Sequence, residues 1–281
     1  MPAIIRDGCK PIMFAGPAAL LLLFAFAAPL VWVFMTSFEA PAGAGAAYLD
    51  IATKTIYRRV LITTAEIAAA STFITLLLSY PVAYHLSRQS RRTRALLSIL
   101  VLLPFWTSIL VKSFAFTVMF GTNGMVNDVL RSMFGEEATI QFMYNRPAVL
   151  LGMSHYLMPF MIFAIQSNLL AQNPALRTTA EVMGASRLRI FFSITFPLSL
   201  PAIVAGSLMC FILSLGMFVT SALLGSKQDM MISNLINFYV REVLNWPAAS
   251  ALAVILIVVV GALMLLLSRV RGASFLTGGK A

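Results

Sequence analysis

The chain has 281 residues, of which 60% are hydrophobic and only 11% are charged, and its formal net charge is +10. Soluble domains are typically about 45–50% apolar and about 25% charged. A water-soluble fold cannot hide so much apolar surface, so the composition excludes that class and indicates that lipid is the solvent for much of the chain.

Six stretches are long and apolar enough to cross a bilayer, which takes about 20 helical residues. The first stretch follows Arg6 and Lys10, as in a signal peptide, but its uncharged core exceeds the roughly 7–15 residues typical of such a peptide. We therefore expect a retained helix there. The six predicted spans are residues 13–35, 60–84, 95–119, 147–170, 198–224 and 248–268.

The basic residues predict the orientation of these spans. If the N-terminus is inside, the cytoplasmic segments carry 12 Lys and Arg residues and the outer segments carry 7, while Lys112 lies within a span. The positive-inside rule then predicts that both termini are cytoplasmic. Four of the cytoplasmic arginines lie in the short loop 85–94, which we interpret as a lipid-contacting loop. Topology and anionic lipid therefore explain the net charge better than nucleic acid does.

Two outer connections have helical periodicity. Apolar residues between 125 and 133 recur at helical spacing, which predicts a short amphipathic helix at the outer interface. A second apolar stripe covers residues 232–243 and stops at Trp246-Pro247. This second helix either packs on the bundle or covers the outer mouth of a pathway, and the two interpretations are compatible.

The cytoplasmic connection 171–197 reads as two short helices joined by a glycine. Asn173 and Pro174 are typical of a helix N-cap and first turn. The predicted helix runs to Gly184, and a second one starts near Ser186. This elbow is either a docking surface or an ordinary loop lying on the membrane.

The sequence lacks the motifs of an enzyme. It contains no G-x-x-x-x-G-K-[ST] phosphate loop, so we do not expect the chain to hydrolyse ATP itself. Cys9 and Cys210 are predicted to be free thiols, and His85 and His155 have no neighbours that suggest a metal site. For His155, inside the fourth span, we expect a hydrogen bond between helices.

Two charged residues interrupt the apolar spans. Glu66 and Lys112 are predicted to lie at matching depth, roughly 9–10 Å below the outer ends of their spans at 1.5 Å per residue. We hypothesise that they form a pair or both line an outer cavity, because unpaired charges in lipid are costly. The alternative is that each side chain reaches the interface separately.

The elbow resembles the EAA signature of permease subunits of binding-protein-dependent ABC importers, which reads EAA, three residues, Gly, nine residues, I-x-L-P. Ala180, Gly184, Ile194 and Pro197 match it at the correct spacing. Thr178, Thr179 and Phe196 depart from it, and Glu181 lies three positions after the usual glutamate.

Other stretches, in the same order, are similar to the spermidine/putrescine-type permeases of this family. They include YPVAYHLSR at 80–88, LLPFWTSILVKSFAF at 102–116, GTNGMVNDVL at 121–130, MGASRLRIFFSITFPLSLPAI at 183–203, FVTSALLGSKQDMMISNLI at 218–236 and NWPAASALAV at 245–254.

The resemblance implies an all-α integral membrane protein with the type I ABC importer permease fold, in a bacterial inner membrane. Its parts would be a first helix with an outer loop (1–59), a five-helix core (60–268) containing the coupling loop 171–197, and a cytoplasmic tail (269–281). The implied partners are an ATPase dimer that uses ATP and Mg, a second homologous permease, and a periplasmic or lipoprotein solute-binding protein.

The resemblance also implies roles for particular residues. The solute would be a polyamine or a related amine, for which carboxylates and aromatic faces are suitable partners. An opine-like or other organic nitrogen solute is the alternative, followed by an ATP-independent secondary transporter. The residues implied in coupling to the ATPase are Thr178, Thr179, Ala180, Glu181, Gly184, Ala185, Ser186 and Arg187. The pathway candidates are Glu66, Trp106, Lys112 and Phe218.

Overall fold

The computed structural model describes the backbone of residues 10–40 and 43–277, and these residues form helices and turns without a strand. Cys9 lies outside the described residues. The predicted all-helical membrane fold is confirmed. Five described segments are long and apolar enough to cross a membrane, and a sixth apolar stretch, Leu20–Thr36, lies in the first helix. The five are Thr55–Ser87, Ile109–Phe134, Arg146–Ala171, Arg187–Leu215 and Trp246–Ser268.

The chain divides into two compact units, and the first comprises the residues up to Lys54 together with residues 236–257. It contains α1 (Lys10–Thr36) and α2 (Ala46–Thr53). The Tyr48 hydroxyl donates to Ser37 Oγ at 2.8 Å, and the rings of Tyr48 and Phe38 lie 5.4 Å apart. These contacts pack α2 against the end of α1.

The second unit comprises residues 55–235 and the residues from 258 onward. Its helices are α3 (Thr55–Ser87), α4 (Arg91–Leu102), α5 (Ile109–Phe120), α6 (Met125–Phe134), α7 (Arg146–Ala171), α8 (Pro174–Val182), α9 (Arg187–Ile190), α10 (Phe196–Leu215) and α11 (Phe218–Leu224). Two helices have residues in both units: α12 (Ile232–Arg241) and α13 (Trp246–Thr277).

Helix α7 forms the centre of the second unit, with α3 and α10 packed against it. One stripe of α7 has apolar residues at every fourth position, and all of them are fully buried. The stripe consists of Val149, Met153, Leu157, Met161 and Ile165. A Cβ at Gly206 would lie 3.0 Å from Met161 Sδ, so glycine there allows α10 to approach α7 closely.

Two predicted spans are broken in the middle, contrary to the continuous helices expected over 95–119 and 198–224. In the first, a 3-10 turn covers Leu103–Trp106, because Pro104 has no N–H to donate, and Ser108 then caps α5 by accepting from Leu110 N. In the second, α10 ends at Leu215 with Gly216 as its C-cap, and Met217 is extended before α11 begins.

The two amphipathic helices predicted in the connections are confirmed as α6 and α12. Helix α12 begins next to α3, since Ile232 N donates to Thr64 Oγ1 at 2.8 Å. Ile232 and Leu235 are buried, so the first turn of α12 packs within the second unit.

Candidate coupling and translocation sites

The elbow consists of α8 and α9 joined at Gly184. The side-chain oxygen of Asn173 accepts from Ala175 N at 2.9 Å, as its predicted N-cap role requires. At the other end of α8, Gly184 N donates to Glu181 O and Ala185 N donates to Ala180 O, both at 3.0 Å. This is the Schellman pattern, which needs a left-handed residue, and Gly184 has φ +79°.

The second helix of the elbow begins at the predicted residue. Ser186 Oγ accepts from Arg189 N at 3.4 Å and caps α9. Both short helices therefore have a side-chain cap at their start, and the turn at Gly184 bonds the last carbonyls of α8. The elbow is a defined turn rather than an irregular loop.

Three large apolar side chains of the elbow face outward, whereas Ile190 at the end of α9 is buried. Val182, Met183 and Leu188 are 84%, 82% and 72% exposed. Every residue of α8 is exposed or only partly buried. Neighbouring exposed apolar residues on a capped, ordered segment are typical of a protein contact surface.

The eight predicted coupling residues all lie on this turn. Six of them are exposed, and Ala180 and Ala185 are half-buried. Glu181 pairs with Arg177 one turn earlier, at 2.8 Å between Oε1 and Nε. These positions agree with a coupling role, which remains a prediction.

A π-helical turn, Phe191–Thr195, joins the elbow to α10. The wider turn changes the main-chain bonding, and Gln172 Nε2 from the end of α7 donates to Thr195 O at 3.3 Å. Phe191 packs against Tyr80 and Tyr84 of α3, with ring centroids 5.9 and 5.3 Å apart. The elbow is thus linked to α3, α7 and α10.

The opposite end of the unit, predicted to face outside, is held by Arg146. Its Nη1 lies 2.9 Å from Glu66 Oε2 on α3, and its Nε lies 3.2 Å from Asp229 Oδ1. Asp229 is 5% exposed and also accepts from Ser226 Oγ at 2.6 Å. One guanidinium therefore ties the connection after α11 to α3 and α7.

A cavity of about 670 Å³ opens beside this ion-pair network. Its charged lining consists of Arg58, Arg59, Glu66, Arg146 and Asp229. The volume falls in the range of small-molecule sites, roughly 300–1,000 Å³. With three cationic and two anionic side chains, the lining carries charges of both signs rather than only negative charge.

The predicted pairing of Glu66 with Lys112 is wrong. Glu66 pairs with Arg146 and lines the 670 Å³ cavity, but Lys112 is not among the lining residues of that cavity, so the alternative that both residues share it is not met either. Lys112 Nζ instead donates to Pro104 O at 2.9 Å and lies 5.1 Å from the centre of the Tyr156 ring. The carbonyl of Pro104 also accepts from Thr107 N at 3.3 Å and from Thr107 Oγ1 at 2.7 Å, so the ammonium group shares it with the residue that ends the 3-10 turn.

The other pathway candidates also lie at the two broken spans. Trp106 ends the 3-10 turn and is 74% exposed. Phe218 is the first residue of α11, and its carbonyl oxygen lies 3.5 Å from Asn234 Nδ2. The ring of His155, for which a hydrogen bond was expected, packs edge-on against Phe116, with centroids 5.6 Å apart.

The residues missed by the sequence reasoning are Arg146, Asp229, Gln172 and Asn127. Asn127 is fully buried, donates to Gly121 O and Ile140 O, and accepts from Ile140 N. The only local signals were the Asn145-Arg146-Pro147 helix start and the Ser226–Asp229 capping box. In the described part of the chain, no three His, Cys, Asp or Glu side chains converge as metal ligands.

The family described as "Binding-protein-dependent transport system inner membrane component" matches residues 75–271. The chain is 30% identical to the "Spermidine/putrescine transport system permease protein PotB" of Escherichia coli (strain K12) over 210 residues, 75% of this chain and 76% of that one. It is 32% identical to the protein of the same name from Haemophilus influenzae over 209 residues, 74% and 73% of the two chains.

A solved structure is also similar to the chain. It is that of a bacterial ABC transporter involved in the import of the acidic polysaccharide alginate, with a TM-score of 0.72 over 93% of this chain and 97% of that one. At 19% identity this likeness shows the fold alone. The family match spans most of the chain and includes the elbow, the π-helical turn and the central helices. The chain therefore belongs to the binding-protein-dependent transport family, as an inner-membrane permease subunit of an ABC importer and not an enzyme.

Proposed function

We propose that this permease imports a polyamine such as spermidine or putrescine, with both termini in the cytoplasm. It would act beside a second homologous permease, above a dimer of ATPase subunits, and receive solute from a periplasmic or lipoprotein binding protein. The names of the two relatives support the solute class. The excess of basic residues in one set of loops supports the orientation.

The elbow would be the coupling element that receives the motion of the ATPase. Its caps keep α8 and α9 in a fixed relation, while Val182, Met183 and Leu188 present apolar surface to a partner. The π-helical turn and the Phe191 contacts would carry movement of the elbow into α3 and α10. Thr178 through Arg187 would make the contact itself.

The two broken spans would line the pathway. Irregular main chain inside a bilayer is tolerated only where it is buried in protein or faces a water-filled cavity. The breaks lie at residues 103–108 and 216–217, and Trp106 belongs to the first of them. Lys112 contacts the first break through Pro104 O, and Phe218 directly follows the second. Helix α11 packs against α5, so the two breaks belong to neighbouring elements.

One observation carries the choice of an amine solute. The chain's own ammonium group, that of Lys112, rests against the carbonyl of Pro104 and the ring face of Tyr156. A carbonyl and an aromatic face are the partners that an ammonium group of a solute requires. A polyamine crossing here would exchange with the Lys112 ammonium on the same partners.

The outer cavity favours a second candidate, an opine-like or other organic nitrogen solute with both charges. Arg58, Arg59 and Arg146 suit a carboxylate, while Glu66 suits an amine. A solute with an acidic and a basic group would be matched by this mixed lining better than a pure cation.

Uptake by the reconstituted transporter tests the proposal. With ATPase, both permeases and binding protein present, we expect ATP-dependent accumulation of labelled spermidine. Tyr156→Leu is expected to raise KM about 5–30-fold through loss of the cation–π contact. Tyr156→Phe keeps a ring and is the matched control, for which we expect wild-type uptake.

Three results would count against this account. Accumulation of an opine-like solute with no spermidine uptake would replace the first candidate by the second. Uptake without ATP would favour a secondary transporter. Equal KM values for Tyr156→Leu and Tyr156→Phe would remove Tyr156 from the pathway.

A further inference from the structure

A second cavity, of about 320 Å³, lies at the elbow end of the second unit. It is lined by the end of α3, the end of α7, the start of α8, the π-helical turn and the first turn of α10. Its apolar lining comes largely from the ends of apolar helices. The apolar lining residues include Leu169, Leu170, Leu176, Ile194 and Leu198.

The charged residues that line this elbow cavity are both cationic. Arg88 and Arg177 both contribute to it, and its lining residues, all of which are described, include neither Asp nor Glu. The guanidinium carbon of Arg88 lies 4.2 Å from the centre of the Tyr84 ring, which fixes this charge at the cavity wall. Arg177 binds Glu181 through Nε, so its two terminal NH₂ groups remain as further donors.

We propose that this cavity binds the phosphate headgroup of an anionic phospholipid. Two guanidinium groups on different elements suit a phosphodiester, which arginine binds with paired N–H donors. The leucines beside them suit the glycerol and first methylene groups of the acyl chains. Basic pockets between spans on the cytoplasmic side are a recurring form of lipid-headgroup site.

The position of the cavity favours a lipid over an acidic segment of a partner protein. Leu169, Leu170 and Leu198 belong to the ends of α7 and α10, two helices long and apolar enough to cross a membrane, and the ends of such helices are where the membrane boundary is expected. The surface suited to a protein partner is the exposed group formed by Val182, Met183 and Leu188, and none of these lines the cavity.

A headgroup in this position joins the elbow to the bundle. Arg88 belongs to the connection after α3, while Arg177 belongs to α8. A phosphate between them places its negative charge beside both guanidinium groups and fixes the start of α8 relative to α3. Anionic lipid then steadies the coupling loop and increases ATPase activity of the assembled transporter.

Lipid retention by the assembled transporter tests this proposal. The complex is placed in nanodiscs of phosphatidylcholine with a minority of phosphatidylglycerol, extracted, and examined by native mass spectrometry. The test variant is Arg88→Gln with Arg177→Gln. The matched control is Arg91→Gln with Arg94→Gln, which removes the same charge from the neighbouring segment, outside the cavity lining. We expect the test variant to retain phosphatidylglycerol about tenfold less than wild type, and the control to retain it normally.

A second arm separates lipid from free phosphate. ATPase activity of the wild-type complex is measured in pure phosphatidylcholine, with inorganic phosphate added, and with phosphatidylglycerol included. We expect stimulation by phosphatidylglycerol only, and loss of that stimulation in the test variant. Stimulation by inorganic phosphate would assign the cavity to the free anion and overturn the lipid proposal.

Two other outcomes overturn it. Equal lipid retention in the test and control variants would remove the arginines from any lipid site. Normal retention with loss of ATPase co-purification would make Arg88 and Arg177 a protein contact. The lipid-retention measurement rests on the proposed orientation but not on the identity of the solute. If spermidine uptake fails, the retention result can therefore still be interpreted.

Discussion

The two ends of the second unit differ in whether their side chains find partners within the unit. At the Arg146 end, charged groups bind one another, and Asp229 is buried with Arg146 and Ser226 as its partners. At the elbow end, the main chain is capped but Val182, Met183 and Leu188 are exposed. Ion pairs within the unit stabilise the first end. The second end has a defined backbone conformation but leaves apolar surface exposed. The difference teaches that the elbow is shaped by its own caps while its apolar side chains stay available for a contact.

The largest expected effect is on ATPase binding, from a substitution at the exposed apolar surface of the elbow. Met183→Asp places a charge in the centre of the proposed ATPase contact. A central apolar contact contributes about 2 kcal/mol or more, so we expect roughly 30-fold weaker ATPase binding. Met183→Leu keeps an apolar side chain of similar size and should bind normally. Co-purification of the ATPase with each variant measures this, and normal binding of Met183→Asp would place the contact elsewhere.

At the Arg146 end, substitutions should instead lower the free energy of unfolding. Arg146→Gln leaves the buried Asp229 carboxylate without its cation, at a cost of about 1–3 kcal/mol. Glu66→Gln breaks only the exposed half of the network, where both side chains are about half exposed, and should cost about 0–1 kcal/mol. The apparent Tm of the purified chain distinguishes the two variants. A larger loss for Glu66→Gln would show that Asp229 does not anchor the network.

The glycine joint offers a sharper test of the elbow's shape. A Cβ at Gly184 would meet nothing within 4 Å, so a substitution there changes only the backbone preference. Gly184→Val should cost about 1–2 kcal/mol in the left-handed conformation. Gly184→Asn, which tolerates that conformation, is the control. We expect ATP hydrolysis without matching transport in Gly184→Val, and equal coupling ratios in the two variants would show that coupling does not depend on the left-handed turn at Gly184.

The smallest effect is expected at the link between the elbow and α7. Gln172→Leu removes the donor to Thr195 O and should cost about 0.5–1.5 kcal/mol, with a reduced ratio of solute moved to ATP hydrolysed. Asn168→Leu removes the other partner of Gln172 and leaves the bond to the π-helical turn intact. If the Asn168 variant lowers the ratio equally, the Thr195 bond is not what matters.

Local sequence signals predicted the elbow well. Asn173, Gly184 and Ser186 each act on main-chain groups within a few residues, so a cap or a left-handed turn can be read from the chain alone. The amphipathic helices α6 and α12 were predictable for the same reason, because periodicity is a local property.

The Arg146 network could not be predicted in this way. Arg146 lies 80 residues from Glu66 and 83 from Asp229 in the sequence, so only packing of α3 and α7 brings them together. Pro104 marks the break in the third predicted span, but a proline in the sequence does not by itself show that a helix is broken there. Pro81, Pro159 and Pro201 lie inside continuous helices of the same unit.

Photo-crosslinking from position 183 tests the central claim most directly. A photoreactive residue replaces Met183 in the complete transporter in membranes that carry out ATP-dependent uptake, and the same residue at Leu103, on the broken third span, is the control. The account predicts that position 183 captures the ATPase subunit and that position 103 does not. Capture of lipid alone at position 183, in membranes with full transport activity, would contradict the claim that the elbow is the ATPase contact.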